Sequence, residues 1–310
     1  MTKRKDPTAR LAAKKGDWLW RTCKALHLVE SKTMELLELP RTQSVRLRYG
    51  EKLDFLGKEF PWCPGGYELL KPVSEIRDSE AVRSGQIYIQ NAASWLPVIV
   101  LDPQADDVIL DVCAAPGGKT SHIRDAAGGS AEIWANDNSR ARLAKLQSNM
   151  KQLNIHINEY TLFDATQLAR KLKGKQFTKI LLDAPCGGEG MMTMSSNKDF
   201  DSWSVAHIKR LQQLQKRILT QAWHLLAPGG TLVYSTCTMA PEENEAVIDY
   251  LLRSQPDVVL EPIDIDLPNK ATPVLEWNDR QYNTSITNCL RLMPSERIEA
   301  FFVCKLVKQV

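Results

Sequence analysis

The chain has 310 residues, of which 43% are apolar and 25% are charged. A chain of this length and composition can bury a large core, which excludes global disorder and favours one large domain with a smaller one. The formal net charge of +3 does not by itself indicate a nucleic-acid partner, because phosphate binding depends on local clusters of Lys and Arg.

The seven cysteines include no pair at the short spacing of a zinc knuckle or a redox motif. The sequence therefore predicts no metal site and favours a reducing compartment. No apolar core of signal-peptide length follows the basic amino terminus, and no apolar run reaches 18 residues. We expect a cytoplasmic, monomeric protein with no membrane partner.

Residues 1–80 are predicted to form a small α+β amino-terminal domain. Eight Lys or Arg residues and two Asp lie between Lys3 and Lys24, close to Trp18 and Trp20. This segment is either an arm that contacts RNA or a solvated helix face with two buried tryptophans. Residues 44–70 are predicted to form short strands, broken at Pro61, Pro64, Gly65 and Gly66.

Residues 81–310 are predicted to form an α/β domain, because short apolar runs alternate with longer amphipathic stretches. This alternation is typical of a mostly parallel sheet whose strands are joined by helices. The predicted strands are 108–112, 131–136, 159–163, 179–182, 231–235 and 299–306. The clearest helical periodicity covers 140–153, 205–226 and 242–252, and the second of these stops at the breaker 228–230.

The segment 108–120 runs from an apolar strand through a loop of small residues into a helix. The small residues let a ligand approach the backbone closely, and they are Ala114, Ala115, Gly117 and Gly118. The loop has neither the G-x-G-x-x-G pattern of dinucleotide sites nor the P-loop pattern, so a smaller ligand is favoured.

Four acids are predicted to lie at one edge of the sheet, because each ends or follows a strand: Asp111, Asp137, Asp164 and Asp183. Ligands of open α/β sheets bind at that edge. Asp137 is suited to binding ribose hydroxyls, which indicates a nucleoside ligand. The alternative for Asp137 is a helix cap, since a helix begins at Ser139 and Arg140.

Cys186 and Cys237 each follow a predicted strand at this same edge, in the segments Asp-Ala-Pro-Cys and Ser-Thr-Cys-Thr. Most cysteines are small, inert core residues. These two cysteines follow the fourth and the fifth predicted strand at the ligand-binding edge, so we expect both thiols to face one pocket.

Together these segments resemble the RNA 5-methylcytosine methyltransferases, a family that includes bacterial small-subunit ribosomal RNA enzymes and the eukaryotic NOP2/Sun proteins. The resemblance runs from about Trp62 to the carboxyl terminus. The segments that carry it are 88–97, 111–120, 136–137, 183–186 and 234–245. Short stretches such as 61–64 and 186–190 favour the bacterial ribosomal RNA enzymes.

The resemblance implies a Rossmann-like methyltransferase fold, S-adenosyl-L-methionine as cofactor and RNA, either ribosomal or transfer, as partner. It implies that Cys237 is the nucleophile and that Cys186 assists product release. The implied cofactor contacts are Cys113, Ala114, Ala115, Pro116, Gly117, Gly118, Lys119, Asp137, Arg142, Asp164 and Asp183.

A pair of thiols suits methyl transfer to carbon 5 of cytosine. A thiolate must first add to carbon 6, and a base must later remove the proton on carbon 5. An ordinary thiol is mostly protonated at neutral pH, so we expect Lys119 to favour the thiolate. We expect Asp183, protonated or hydrogen-bonded to the base, to stabilise the adduct.

The chain departs from the family at Gly187, at the segment 191–194 and at Ala300, where relatives often have Ser, basic residues and Gly. The family's Arg-x-Asn motif has no clear counterpart around Arg46 and Arg48. The sequence leaves two alternative functions open. A DNA cytosine methyltransferase would carry its nucleophile in the Pro-Cys motif, and a non-catalytic ribosome-assembly factor would not need both cysteines.

Overall fold

The computed structural model describes residues 6–310. Its helices are α1 (Pro7–Leu26), α2 (Glu30–Leu37), α3 (Val73–Ile76), α4 (Glu80–Arg83), α5 (Leu96–Leu101), α6 (Gly118–Ala127), α7 (Arg140–Gln152), α8 (Leu168–Lys171), α9 (Val205–Leu225) and α10 (Glu245–Ser254). Its strands are β1 (Ser44–Leu47), β2 (Leu56–Phe60), β3 (Cys63–Leu69), β4 (Ile87–Ile89), β5 (Val108–Asp111), β6 (Glu132–Asn136), β7 (Glu159–Thr161), β8 (Phe177–Asp183), β9 (Leu226–Thr236), β10 (Val258–Glu261), β11 (Lys270–Ala271), β12 (Glu276–Trp277), β13 (Arg280–Gln281), β14 (Leu290–Leu292) and β15 (Phe301–Lys308).

A nine-stranded mixed sheet forms the centre of the molecule, with strand order β11-β14-β15-β9-β8-β5-β6-β7 and β10 paired with β15. The five strands from β9 to β7 are parallel to their neighbours, and β15 runs antiparallel to β9. Ile180, Leu181 and Leu182 are consecutive in β8 and all fully buried. Such unbroken burial is typical of a parallel strand that is covered on both faces.

A small antiparallel sheet of order β2-β3-β1-β4 lies beside the large one. Arg46 and Arg48 on and after β1 both pair with Asp125 of α6, with Arg48 Nε 2.8 Å from the carboxylate. Arg46 also donates to Ser121 Oγ at 3.0 Å. These contacts connect the small sheet to α6, the helix that follows the predicted ligand loop. The division at residue 80 stays a prediction, and β4 of the small sheet lies beyond it.

The amino-terminal basic segment forms part of α1, except that Lys3, Arg4 and Lys5 lie outside the described residues. Trp18 is fully buried against Phe200, whereas Trp20 is 57% exposed. The alternative of a helix with two buried tryptophans is therefore correct for Trp18 and wrong for Trp20.

Several predicted boundaries were wrong, although the order of elements in the parallel part of the sheet is confirmed. Pro64, Gly65 and Gly66 lie within β3 instead of breaking it. The predicted helix 205–226 is confirmed as α9, which ends at Leu225, but the breaker 228–230 lies within β9, which begins at Leu226. No helix among residues 6–310 is long and apolar enough to cross a membrane.

Candidate active site

The loop between β5 and α6 has the compact shape that its small residues predict. Gly117 has φ of 109°, and a Cβ there would lie 2.6 Å from Leu146 Cδ1, so only glycine fits. Asp111 at the end of β5 is buried and accepts a hydrogen bond from Thr120 Oγ1 at 2.7 Å. Burial raises the pKa of Asp111 to about 7. Asp111 therefore stabilises the loop through its hydrogen bond to Thr120 of α6.

Asn136 at the end of β6 aligns the neighbouring strand ends. Its side-chain amide donates to the carbonyl oxygens of Val112 and Phe163 at 3.0 and 3.1 Å. Its oxygen accepts from Thr161 Oγ1 at 2.8 Å and from the Phe163 amide at 3.1 Å. The residue is fully buried, and it joins the segments that follow β5 and β7. Its motif was noted in the sequence, but this role was not.

A cavity of about 350 Å³ opens at the carboxyl edge of the parallel strands. It is lined by eight of the predicted site residues, which are Cys113, Ala115, Asp137, Arg142, Asp164, Asp183, Cys186 and Cys237. A second cavity of about 220 Å³ shares Cys113, Ala115 and Asp183 with the first. It adds the predicted residues Ala114, Pro116, Gly118 and Lys119. Gly117 lines neither cavity; its positive φ allows the turn between β5 and α6.

Asp137 and Arg142 form the wall of the larger cavity after β6. Asp137 accepts from the Ser139 amide at 2.9 Å, and Arg142 Nη1 lies 3.4 Å from its other oxygen. Arg142 also donates to the Ala115 carbonyl at 2.6 Å. Ser139, not Asp137, is the N-cap of α7, so the capping alternative for Asp137 is wrong.

Asp164 lies three residues past the end of β7, so the prediction that it ends a strand was wrong. It caps a short 3-10 helix, Ala165–Gln167, and accepts from the Thr166 amide at 2.9 Å and the Thr166 hydroxyl at 2.8 Å. These two hydrogen bonds lower the pKa of Asp164. The carboxylate thus stays charged at the cavity wall.

The sulfur atoms of Cys186 and Cys237 lie 3.4 Å apart. Their strands β8 and β9 are parallel neighbours, and Asp183 lies opposite Ser235 in the register. The ends of β8 and β9 are therefore aligned, and the two cysteines follow them side by side. The hydrogen bond with Cys237, together with burial, raises the pKa of Cys186 well above its usual value. The structure thus brings the two predicted thiols into one pocket.

Lys119 and Asp183 form an ion pair next to the thiols, with 2.8 Å between Nζ and Oδ2. Ser235 donates to the other oxygen of Asp183 at 2.8 Å. Burial lowers the pKa of Lys119, but the attraction and the hydrogen bond of Asp183, together with Cys237 and Asp111, outweigh burial, so the net shift is upward and the ammonium stays charged. Both oxygens of Asp183 thus have a donor, which fixes the carboxylate in place.

Sequence reasoning missed a buried polar cluster beside Cys186 and Cys237. Its members are Glu189, Gln215, Thr238 and Glu243, and Glu243 belongs to a segment that was noted only for its resemblance. Trp203 donates to Glu189 at 2.7 Å. Gln215 has no signal in the sequence, because it lies on a helical face typical of core packing.

The remaining features of the described part of the chain do not add to this site. Cys289 and Cys304 are buried in the core, and residues 6–310 contain no group of three or more His, Cys, Asp or Glu that could hold a metal ion. A separate cavity of about 880 Å³ lies between α2 and the segment 293–298 and is lined by none of the predicted site residues.

Residues 98–307 match the model of the family described as 16S rRNA methyltransferase RsmB/F. The chain belongs to this family. Among similar proteins, the tRNA (cytosine(49)-C(5))-methyltransferase of Pyrococcus abyssi is 38% identical over 225 residues, which cover 72% of this chain and 71% of that protein. The ribosomal RNA small subunit methyltransferase F of Cronobacter sakazakii is 39% identical over 207 residues, which cover 64% of this chain and 42% of that protein. The chain thus spans less than half of that bacterial relative.

Solved structures confirm the predicted α/β methyltransferase fold. A methyltransferase homolog protein from Pyrococcus horikoshii aligns with a TM-score of 0.80 at 30% identity, covering 98% of this chain and 99% of that chain. NSun6 from the same organism aligns with a TM-score of 0.76 at 22% identity, covering 93% and 97%, and supports the fold alone.

Proposed function

We propose that this RsmB/F family member is an S-adenosyl-L-methionine-dependent RNA methyltransferase that modifies carbon 5 of a cytosine. The observation that carries the proposal is the 3.4 Å separation of the Cys186 and Cys237 sulfurs in one cavity with the predicted cofactor residues. A reaction that uses only a nucleophile would need one of these thiols. Methyl transfer to carbon 5 of cytosine needs both a nucleophile and a base.

The cavity fits the proposed cofactor. Its volume of about 350 Å³ lies in the range of small-molecule sites. The Asp137 carboxylate is placed after β6, where acids of open α/β sheets bind ribose hydroxyls, and the small residues of the loop 113–118 leave the backbone accessible. When bound, S-adenosyl-L-methionine supplies an electrophilic methyl group.

Cys237 is the proposed nucleophile. Its sulfur lies within hydrogen-bond distance of the Cys186 sulfur, and the Lys119 ammonium is nearby, where a positive charge favours attack by a thiolate. Addition of the Cys237 sulfur to carbon 6 of the cytosine makes carbon 5 nucleophilic. Asp183, held by Lys119 and Ser235, is placed to bind the polar edge of the base.

Cys186 is the proposed base for release. After methyl transfer it accepts the proton from carbon 5, the electron pair re-forms the bond between carbons 5 and 6, and the Cys237 sulfur leaves as a thiolate. Because the pKa of Cys186 is raised, its thiolate is strongly basic once formed. Its protonation state must therefore be controlled by neighbouring groups.

The proposed partner is RNA, with small-subunit ribosomal RNA favoured by the family model and transfer RNA as the alternative favoured by the Pyrococcus abyssi relative. The target cytosine must be unpaired or flipped out to reach two partly buried thiols. The cytoplasmic location and the monomeric state stay predictions.

The test is transfer of a labelled methyl group from S-adenosyl-L-methionine to RNA by the purified chain, with ribosomal and transfer RNA as separate substrates. We expect 5-methylcytosine in one of the two and none with Cys237→Ala. Transfer that persists in Cys237→Ala would refute the proposed chemistry, and a folded wild-type chain that binds RNA without transfer would favour the non-catalytic alternative.

A further inference from the structure

Glu243 is fully buried, and its carboxyl group contacts three separate parts of the chain. Oε2 accepts hydrogen bonds from the Gly187 amide at 3.0 Å and from Gln215 Nε2 at 2.7 Å. Oε1 lies 3.5 Å from Thr238 Oγ1. Gly187 and Thr238 each directly follow one of the two cysteines. One carboxyl group thus joins both thiol-bearing segments to α9.

Contacts to both the backbone and the side chain of Glu243 fix the position of its carboxyl group. Tyr234 of β9 donates to the backbone carbonyl of Glu243 at 2.6 Å. A Cβ on Gly187 would lie 2.8 Å from Glu243 Oε1, so the absence of a side chain at Gly187 lets the carboxyl group approach the Gly187 backbone. Gln215 is itself anchored by donating to the Pro185 carbonyl at 2.9 Å. The carboxyl group therefore has little freedom to move.

The surroundings favour the uncharged form of this carboxyl group. The hydrogen bonds from the Gly187 amide and the Gln215 side chain favour the charged carboxylate, but neither donor carries a positive charge. Burial, with a further contribution from the Glu189 carboxylate, outweighs these hydrogen bonds and raises the pKa of Glu243 to about 8. The titratable and charged groups around it are Cys186, Cys237, Glu189, Glu242, Tyr234 and, beyond Glu189, Arg21.

The charge on Glu243 adds to the effects that disfavour the Cys186 thiolate, after the hydrogen bond with Cys237, burial and repulsion by Cys237. A negative charge on Glu243 makes ionisation of the Cys186 thiol harder, since like charges repel in a buried site. We propose that Glu243 is a positioning residue whose uncharged carboxyl group fixes the spacing of the two thiols and favours the Cys186 thiolate, whose proton passes to solvent in the cavity that Cys186 lines. This inference rests on the proposed function, because it concerns the base that completes the reaction.

The test separates methyl transfer from release in single turnovers. The substrate is RNA that carries tritium on carbon 5 of cytosine, so that released tritium reports the release step and a labelled methyl group reports transfer. Glu243→Gln keeps the shape and the accepting oxygen but cannot ionise. We expect its release rate to rise at a pH about one unit lower than in the wild type, with methyl transfer within about threefold.

The spacing part of the proposal is tested by Gly187→Ala, which displaces the carboxyl group without changing its charge. We expect this variant to slow release relative to transfer. Gly187→Ala also tests the proposal if Glu243→Gln does not fold. Thermal melting and cofactor titration identify variants that are simply unfolded.

Two outcomes would overturn the proposal. In an active enzyme, superimposable pH profiles for wild type and Glu243→Gln, or an unchanged ratio of release to transfer in Gly187→Ala, would remove the assigned role and leave the proposed function intact. A wild-type chain that releases no tritium from any RNA would instead refute the proposed function, and this inference with it.

Discussion

The Cys186 and Cys237 sulfurs lie 3.4 Å apart although 51 residues separate them in the chain. This contact arises because their strands are adjacent and parallel, and because a buried acid joins the residues that follow each thiol. At this separation one pyrimidine ring can meet both sulfurs, one at carbon 6 and the other at carbon 5.

Cys186→Ala is predicted to accumulate a covalent protein–RNA adduct. The Cys237 thiolate can still add to the base, but no group accepts the proton from carbon 5, so the thiolate cannot leave. The adduct should appear as a slower band on a denaturing gel after incubation with RNA and cofactor. Cys289→Ala, which alters a buried core thiol outside both cavities, should give no such band. An adduct-free Cys186→Ala would contradict the assigned roles.

Asp183→Asn is predicted to lower kcat by about 10²–10³-fold, a loss typical of removing one electrostatic contact to the reacting group. The substitution keeps an oxygen for Ser235 but ends the ion pair with Lys119. Steady-state kinetics with the preferred RNA measure the effect. A loss confined to KM would show that Asp183 contributes binding but not stabilisation of the adduct.

Asp137→Asn is predicted to weaken S-adenosyl-L-methionine binding by about 10–100-fold, since a hydrogen bond to a charged group contributes about 1.5–3 kcal/mol. Isothermal titration calorimetry measures the change. Asp107→Asn is the matched control, because Asp107 precedes β5 at the opposite edge of the sheet and pairs with Lys179. Equal losses in the two variants would place the ribose site elsewhere.

Gly190→Ala is predicted to destabilise the fold by about 2 kcal/mol or more and to abolish activity. A Cβ at this position would clash with the Ala300 carbonyl oxygen and lie 2.9 Å from the Cys237 carbonyl oxygen, so the segment that bears Cys237 must move. Gly129→Ala is the control, since a Cβ there meets nothing within 4 Å. Urea unfolding gives both free energies, and equal values would contradict the packing account.

The free energy of unfolding is predicted to fall between about pH 4 and pH 7 through Asp111. Its pKa is about 7 in the folded chain and 3.8 ordinarily, so in this window the folded state binds the extra proton. Stability from this group is thus present at low pH and lost as the pH rises, by at most about 1.4 kcal/mol per pH unit. Asp111→Asn should flatten this part of the curve in urea titrations, and an unchanged slope would contradict the shift.

The parallel half of the sheet was predictable because each of its strands is a short apolar run next to an amphipathic helix. The antiparallel half was predicted only at β15. Strands such as β11, with two residues, exist because a neighbouring strand offers hydrogen bonds, and two residues carry no periodicity. Pro64 and Gly65 lie within β3 because tertiary pairing overrides the local preference of these residues.

The candidate site was predictable where strand ends and motifs place residues in the sequence, as for Asp183, Cys186 and Cys237. The cluster around Glu243 was not. Gln215 and Glu243 are 28 residues apart, and only the packing of α9 brings them together. The role of Ser235 likewise depends on the register between β8 and β9, which sequence patterns do not specify.

The most direct test of the account uses RNA with 5-fluorocytosine at the modified position, incubated with wild-type chain and S-adenosyl-L-methionine. Fluorine replaces the hydrogen that the base removes as a proton, and it cannot leave carbon 5 as a cation, so the adduct is trapped after methyl transfer. Mass spectrometry of the digested complex then identifies the attached residue. The account predicts a methylated fluorocytosine on Cys237, and attachment to Cys186, or methyl transfer with no attachment, would contradict it.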